Sequence, residues 1–162
     1  MAKMGFGDDK IRVQRVFRNK KCSAIIGGVE FHFDSQFERD WAKYLQFLLE
    51  RGKLKAWVYH PAKFDFWEFG YRKKPYEYQP DFCIWEDEDT YVYQECKGYI
   101  ETKDISRIRR ANKHYDAVFD LVMQRLPKKG KRTQIIAKVS DYAFVRRVID
   151  ASKIFKQVKG MI

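Results

Sequence analysis

Residues 78–98 read YQPDFCIWEDEDTYVYQECKG, two β-prone runs on either side of an acidic turn. If Trp85 pairs with Tyr91, residues 86–90 form the loop and Asp81 lies directly opposite Glu95. Directly opposed residues of an antiparallel pair project to the same face of the sheet. Lys97 shares that face with Glu95, because side chains alternate with period two along a strand. Asp81, Glu95 and Lys97 are therefore expected to converge at one end of the hairpin. The same parity puts Cys83 on their face and Cys96 on the other. Glu86 to Asp89 read as a solvated turn.

Two carboxylates this close repel one another unless a cation sits between them or one is protonated. A hard divalent ion such as Mg²⁺ suits oxygen ligands and is commonly held by one or two carboxylates plus substrate phosphate. Beside such an ion Lys97 could polarise a water or stabilise charge developing on a phosphate. The bland alternative is a hairpin that starts with an Asp and carries a cross-strand Glu–Lys pair. A third acid, Glu38, stands at the head of the run DSQFERDWAKYLQFLLERG. In that run Phe37, Trp41, Tyr44, Leu45, Leu48 and Leu49 recur at helical spacing, with Gly52 placed as a C-terminal stop. Ser35 and Glu38 have the S-x-x-E spacing of a capping box, which explains Glu38 without any function.

Around these two segments the chain alternates strand and helix signals. Gly27-Gly28 marks a turn ahead of the alternating run VEFHF, and LKAWVYHP and AKFDFWEF suggest two strands around Pro61. TKDISRIRRANKHY suits a helix with a basic face, AVFDLVMQ and TQIIAKV read as strands, and SDYAFVRRVIDASKIFKQV reads as a final helix. Residues 1–22 are expected to form a basic N-terminal arm and 23–162 one domain. The element order predicts an α/β or α+β layered fold.

The chain has 162 residues and a formal net charge of +11, with 16 Lys/Arg against 6 Asp/Glu from residue 98 onward and 17 against 16 before it. That asymmetry points to a polyanionic partner, most often nucleic acid. Three cysteines without a C-x-x-C pair argue against a zinc site and a disulfide framework. No apolar run approaches the roughly 20 residues of a membrane helix, and the first residues lack a signal-peptide pattern. A cytoplasmic protein with no membrane partner is the expectation.

Ser35-Gln36-Phe37-Glu38, Tyr78-Gln79-Pro80-Asp81-Phe82 and Glu95-Cys96-Lys97-Gly98 together resemble the PD-(D/E)xK nuclease superfamily. Within it they are similar to the endonuclease I group of phage enzymes that resolve Holliday junctions, and to uncharacterised phage and prophage nucleases. The resemblance spans roughly residues 25–115. It implies a restriction-endonuclease-like mixed sheet with an αβββαβ core flanked by helices. It also implies that Glu38, Asp81 and Glu95 ligate Mg²⁺, with Mn²⁺ able to substitute, and that Lys97 completes the catalytic set. The activity implied is Mg²⁺-dependent hydrolysis of DNA phosphodiesters, on branched DNA and by a homodimer, in a phage-infected or prophage-bearing bacterial host. A nicking or double-strand endonuclease without junction preference is the alternative within the same chemistry. A basic DNA-binding protein without catalysis is the alternative outside it.

Relatives often carry a Gln or a basic residue on the helix after ExK, and the resemblance makes Lys103, Arg107, Arg110 and Lys113 the candidates here. Lys128, Lys129, Lys131 and Arg132 form a basic run suited to phosphate contact, which needs only charge. Trp41, Trp57, Trp67 and Trp85 are expected in the core, with Trp67 and Tyr71 the aromatics best placed to stack on an unpaired base. His32 and His60 read as strand residues, and His114 as a candidate phosphate contact on the basic helix.

Overall fold

The acidic hairpin occupies the middle of a five-stranded mixed sheet. The fold comes from a computed structural model that describes residues 19–67, 74–126 and 145–162. Among them the chain runs β1 (Cys22–Ile26), β2 (Val29–Phe33), α1 (Gln36–Glu50), β3 (Ala56–Tyr59), β4 (Phe64–Phe66), β5 (Tyr76–Tyr78), β6 (Phe82–Trp85) and β7 (Tyr91–Lys97). It continues through α2 (Thr102–Tyr115), β8 (Phe119–Met123), β9 (Val145–Asp150) and a last helix, α3 (Ala151–Gln157). The main sheet has the order β3-β6-β7-β8-β9; β3, β6 and β7 are antiparallel, whereas β8 and β9 run parallel to β7. A parallel neighbour requires a crossover, and α2 supplies the one from β7 to β8.

Trp85 does pair with Tyr91, and the Glu86 N–H closes the loop on the Thr90 carbonyl at 3.1 Å. The β1–β2 hairpin pairs Ile26 with Val29 and leaves a two-residue loop, Gly27 and Gly28, at φ 58° and 80°. A loop with both central residues at positive φ admits glycine at least strain. α1 begins at Ser35, whose hydroxyl accepts from the Glu38 N–H. It ends where Gly52 (φ 65°) and Lys53 turn their N–H groups back on Leu49 and Leu48, the pattern that halts a helix at a left-handed glycine.

Strand alternation divides the core into two. Phe82, Ile84, Val92, Cys96 and Val122 join Trp41, Ala42 and Leu45 of α1 with Ile26 and Phe33. Phe119, Leu121 and Met123 join Ile108 and Ala111 of α2 with Phe64, Phe66 and Tyr78 of the β4–β5 ribbon. Besides Glu95, two polar side chains are buried within this sheet, and both are satisfied. Gln94 accepts from the Trp41 indole at 2.8 Å. Asp120, fully buried, accepts from Arg146 Nη2 at 2.7 Å and Arg147 Nε at 3.0 Å.

Three sequence expectations change. Among the described residues of the segment read as one final helix, 145–150 form a strand, β9, and 151–157 a helix. Arg146 and Arg147 are drawn into the sheet by Asp120, and Asp150 caps the short helix through the Ser152 N–H. The arm expected over 1–22 reaches a strand at its last residue, because Cys22 opens β1 and Lys21 pairs with Asp34 at 3.0 Å. Glu86 is not simply solvated: it binds Arg146 at 2.7 and 2.8 Å, tying the acidic turn to β9. The expected strand TQIIAKV, the run from Lys128 to Arg132, Tyr71 and residues 1–18 of the arm lie outside the described residues. Among the described residues no helix is long and apolar enough to cross a membrane.

Candidate metal centre

The end of β3, the start of β6, the end of β7 and the first turns of α1 and α2 meet at one end of the main sheet. Asp81 precedes β6 by one residue, in register with Glu95, and its Oδ2 accepts from the Cys96 N–H at 2.7 Å. That bond fixes the carboxylate against β7. Glu95 is buried; its Oε1 takes the Lys97 ammonium at 2.8 Å, and its Oε2 accepts from the Tyr78 hydroxyl at 2.8 Å. Lys97 also reaches Asp104 Oδ1 at 3.4 Å, while Asp104 Oδ2 accepts the Glu101 N–H at the start of α2. The helix therefore helps aim the lysine.

Glu38 comes from the other layer. Its N–H is capped by Ser35, but its carboxylate takes the Ser35 hydroxyl at 2.7 Å and the Tyr59 hydroxyl at 2.7 Å. A full capping box would send that carboxylate to the Ser35 backbone N–H. Glu38 is 6% exposed, yet both of its donors are neutral hydroxyls. Among the described residues no lysine or arginine forms an ion pair with Glu38 or with Asp81, because Lys97 is taken up by Glu95 and Asp104. Buried charge of this kind is costly unless compensated.

The electrostatics follow from that imbalance. Burial, with Glu95 beside it and Glu38 behind, pushes the Asp81 carboxyl well above the usual range, against the pull of Lys97 and the Cys96 N–H. Burial works to lower Lys97, but Glu95 and Asp81 outweigh it and raise the ammonium above its ordinary value. Lys97 is thus charged at neutral pH and acts as a donor, not as a base. Burial and the partner carboxylates likewise raise Tyr59 and Tyr78, so both hydroxyls stay protonated and donate. Burial and the neighbouring Asp81 hold Cys96 protonated, and burial pushes Cys83 up to about 11. All three cysteines are free.

Asp81, Glu95 and Lys97 are thereby brought together, with Glu38 near enough to act on Asp81. The three expected ligands do not, however, close into a set with all ligand atoms within 4.8 Å. Among the described residues the set that meets this distance is Asp34, Glu38 and His60. Sequence reasoning left His60 as a strand residue, quoted Tyr78 only within the Y-x-P-D-F motif and without a role, and did not single out Asp34, Tyr59 or Asp104 as site residues. Position 60 carried one signal in retrospect, since it follows a strand and precedes Pro61.

Of the expected DNA contacts, Lys103 is exposed beside Glu101, and Lys113 is exposed. Arg107 donates to the Tyr76 hydroxyl at 2.9 Å, and Arg110 lies over the Tyr76 and Phe66 rings at 4.9 and 5.5 Å. His114 sits edge-on to Phe66, and His32 bonds Ser23 across β1–β2. Trp41 is core, whereas Trp67 is 69% exposed, contrary to the expectation for it. No protein-family model matches the sequence, and no curated protein matches it.

The raised Asp81 gives a direct stability test. A carboxyl that titrates higher in the folded than in the unfolded chain binds more protons when folded, so stability falls as pH rises through that range. In EDTA, Asp81→Asn should raise the Tm at pH 8, by about 2–4 °C for each kcal/mol of repulsion relieved. The gain should shrink as pH falls, and Mg²⁺ should favour the wild type because asparagine is the poorer ligand. An Asp81→Asn variant that melts at or below the wild-type temperature in EDTA at pH 8 would show that no such repulsion exists.

Proposed function

We propose that this chain is a metal-dependent endonuclease that hydrolyses phosphodiester bonds in DNA. The observation that carries the reading is the convergence of Asp81, Glu95 and Lys97 at one sheet end, beside a buried Glu38, with negative charge that the described cations do not balance. All-oxygen donors in surplus suit a hard divalent ion such as Mg²⁺, or Mn²⁺ in its place. With the separate β4–β5 ribbon set aside, the order α1, β3, β6, β7, α2, β8 is consistent with the αβββαβ core implied by resemblance to PD-(D/E)xK nucleases. A protein that only bound DNA would gain nothing from acids facing phosphate.

Asp81 and Glu95 would hold the ion, with Glu38 on its α1 side. Bound there, Mg²⁺ supplies Lewis acidity toward a phosphate oxygen and toward water. Lys97, charged and pinned between Glu95 and Asp104, offers N–H donors to the phosphate as water adds at phosphorus and the bond to the leaving oxygen breaks. Tyr59 and Tyr78 hold the outer oxygens of Glu38 and Glu95, so the carboxylates need not reorient during the reaction.

The substrate strand would run along α2, which starts at the site through Asp104. Lys103, Arg107, Arg110 and Lys113 span about 15 Å at 1.5 Å of rise per residue. The choice of branched over linear DNA, and the homodimer that would cut two strands, rest on the family resemblance. They are tested by comparing four-way junctions with linear duplex and by the mass in solution.

Glu95→Gln should abolish Mg²⁺-dependent cleavage of plasmid or junction DNA while preserving DNA binding, because it removes a ligand and some repulsion toward phosphate. A purified, folded Glu95→Gln variant that cuts at the wild-type rate would sink the proposal.

For binding itself, joint replacement of Arg107 and Lys113 by Gln should flatten the log–log salt dependence by roughly 0.9 for each phosphate no longer engaged. An unchanged slope would place the DNA away from α2.

A further inference from the structure

Asp34 follows β2, Glu38 lies in the first turn of α1 and His60 follows β3, yet their ligand atoms all lie within 4.8 Å of one another. His60 Nε2 is 3.7 Å from Asp34 Oδ2. Three ligands at about 2.0–2.2 Å from one ion are about 3–4.2 Å apart, so only a small rotation separates this set from a coordinating one.

Residue 60 is fixed through its backbone, and its ring rests on a neighbouring aromatic. The His60 N–H donates to the Asp81 carbonyl at 2.9 Å, and the His60 carbonyl accepts from Gln79 Nε2 at 3.2 Å. Its ring stacks on Tyr59 at 3.8 Å between centroids. The Tyr59 hydroxyl in turn bridges Glu38 Oε2 and the Asp34 N–H. The group is not merely acidic, since it adds a nitrogen ligand to one buried and one exposed carboxylate. Glu38 supplies a separate reason for an ion, being buried with hydroxyl partners and without an ion-paired lysine or arginine among the described residues. The lysine on Asp34, Lys21, is 82% exposed at its side chain, so its hold on Asp34 is weak and easily displaced.

We propose that Asp34, Glu38 and His60 form a second divalent-cation site that shares Glu38 with the Asp81–Glu95 cluster and prefers a transition ion such as Mn²⁺ or Co²⁺ to Mg²⁺. The preference follows from the ligands: imidazole suits first-row transition ions, whereas carboxylate and water sets suit Mg²⁺. What the ion would do for DNA cleavage rests on the proposed nuclease reading. Whether it binds does not.

The test is Mn²⁺ binding to the EDTA-treated full chain, counted from the free-ion signal in electron paramagnetic resonance, with Mg²⁺ as competitor. The wild type should hold two Mn²⁺ per chain, one of them displaced by Mg²⁺ at least tenfold less readily. Asp34→Asn and His60→Asn should each lose the Mg²⁺-resistant ion and keep the other. Asparagine is chosen at position 60 because it tolerates the positive φ of 49° found there. Asp34 is exposed, so its variant keeps the test valid if the His60 variant folds poorly. Asp81→Asn should show the reverse pattern. A single ion that is lost in the Asp81 variant and retained in both others overturns this inference and leaves the nuclease reading standing. No bound Mn²⁺ in the wild type overturns both.

Discussion

The 2.7 Å hydrogen bond from the Cys96 N–H to Asp81 sets the terms for this end of the molecule. It draws a carboxylate from the start of β6 onto the end of β7, where Glu95 already lies buried. Like charges held this close in a poorly solvated place cost stability, and the surrounding side chains read as responses to that cost. Lys97 neutralises Glu95 and is itself steadied by Asp104. Tyr59 and Tyr78 direct neutral hydroxyls at the remaining oxygens. After these contacts Glu38 and Asp81 still have no ion-paired lysine or arginine among the described residues. A protein selected for stability alone could replace such acids with apolar groups, often at no loss. Their presence beside a charged lysine is what the proposed cation-dependent reaction on an anionic substrate would require.

Glu38 illustrates how one residue serves both ends. Its backbone N–H completes the Ser35 cap that starts α1, so local sequence explains why a helix begins there. Its carboxylate takes no part in the reciprocal bond of a capping box and turns instead toward Tyr59 and the sheet end. The cap fixes where α1 begins. The side chain uses that fixed point to bring an acid from one layer to the edge of the other.

What could be read in the sequence was what period-two alternation and turn chemistry control. The Trp85–Tyr91 pairing fixed the parity of every residue on β6 and β7, which placed Asp81, Glu95 and Lys97 together and sent Cys96 to the opposite face. The first helix was visible in the spacing of Trp41, Leu45 and Leu48, and α2 in its basic face. Tertiary choices were not visible. Val145–Asp150 has apolar spacing compatible with either helix or strand, and the deciding partner, buried Asp120, is a distant residue that draws in Arg146 and Arg147. Glu86 looked like part of a solvated turn because its arginine partners lie some sixty positions away. Asp34 and the Tyr59–His60 pair lie far from the acids of β6 and β7 along the chain and belong to none of the three motifs, so only the folded arrangement brings them there.

If the end of the sheet around Asp81 and Glu95 is built to hold a divalent cation, the ion itself should be visible there. Anomalous diffraction from crystals of the full chain grown with Mn²⁺ tests this most directly. An anomalous peak is expected within coordination distance of both the Asp81 and Glu95 carboxylates, with Lys97 still paired to Glu95. A map from crystals grown at saturating Mn²⁺ that shows no ion between those two carboxylates would contradict the metal site.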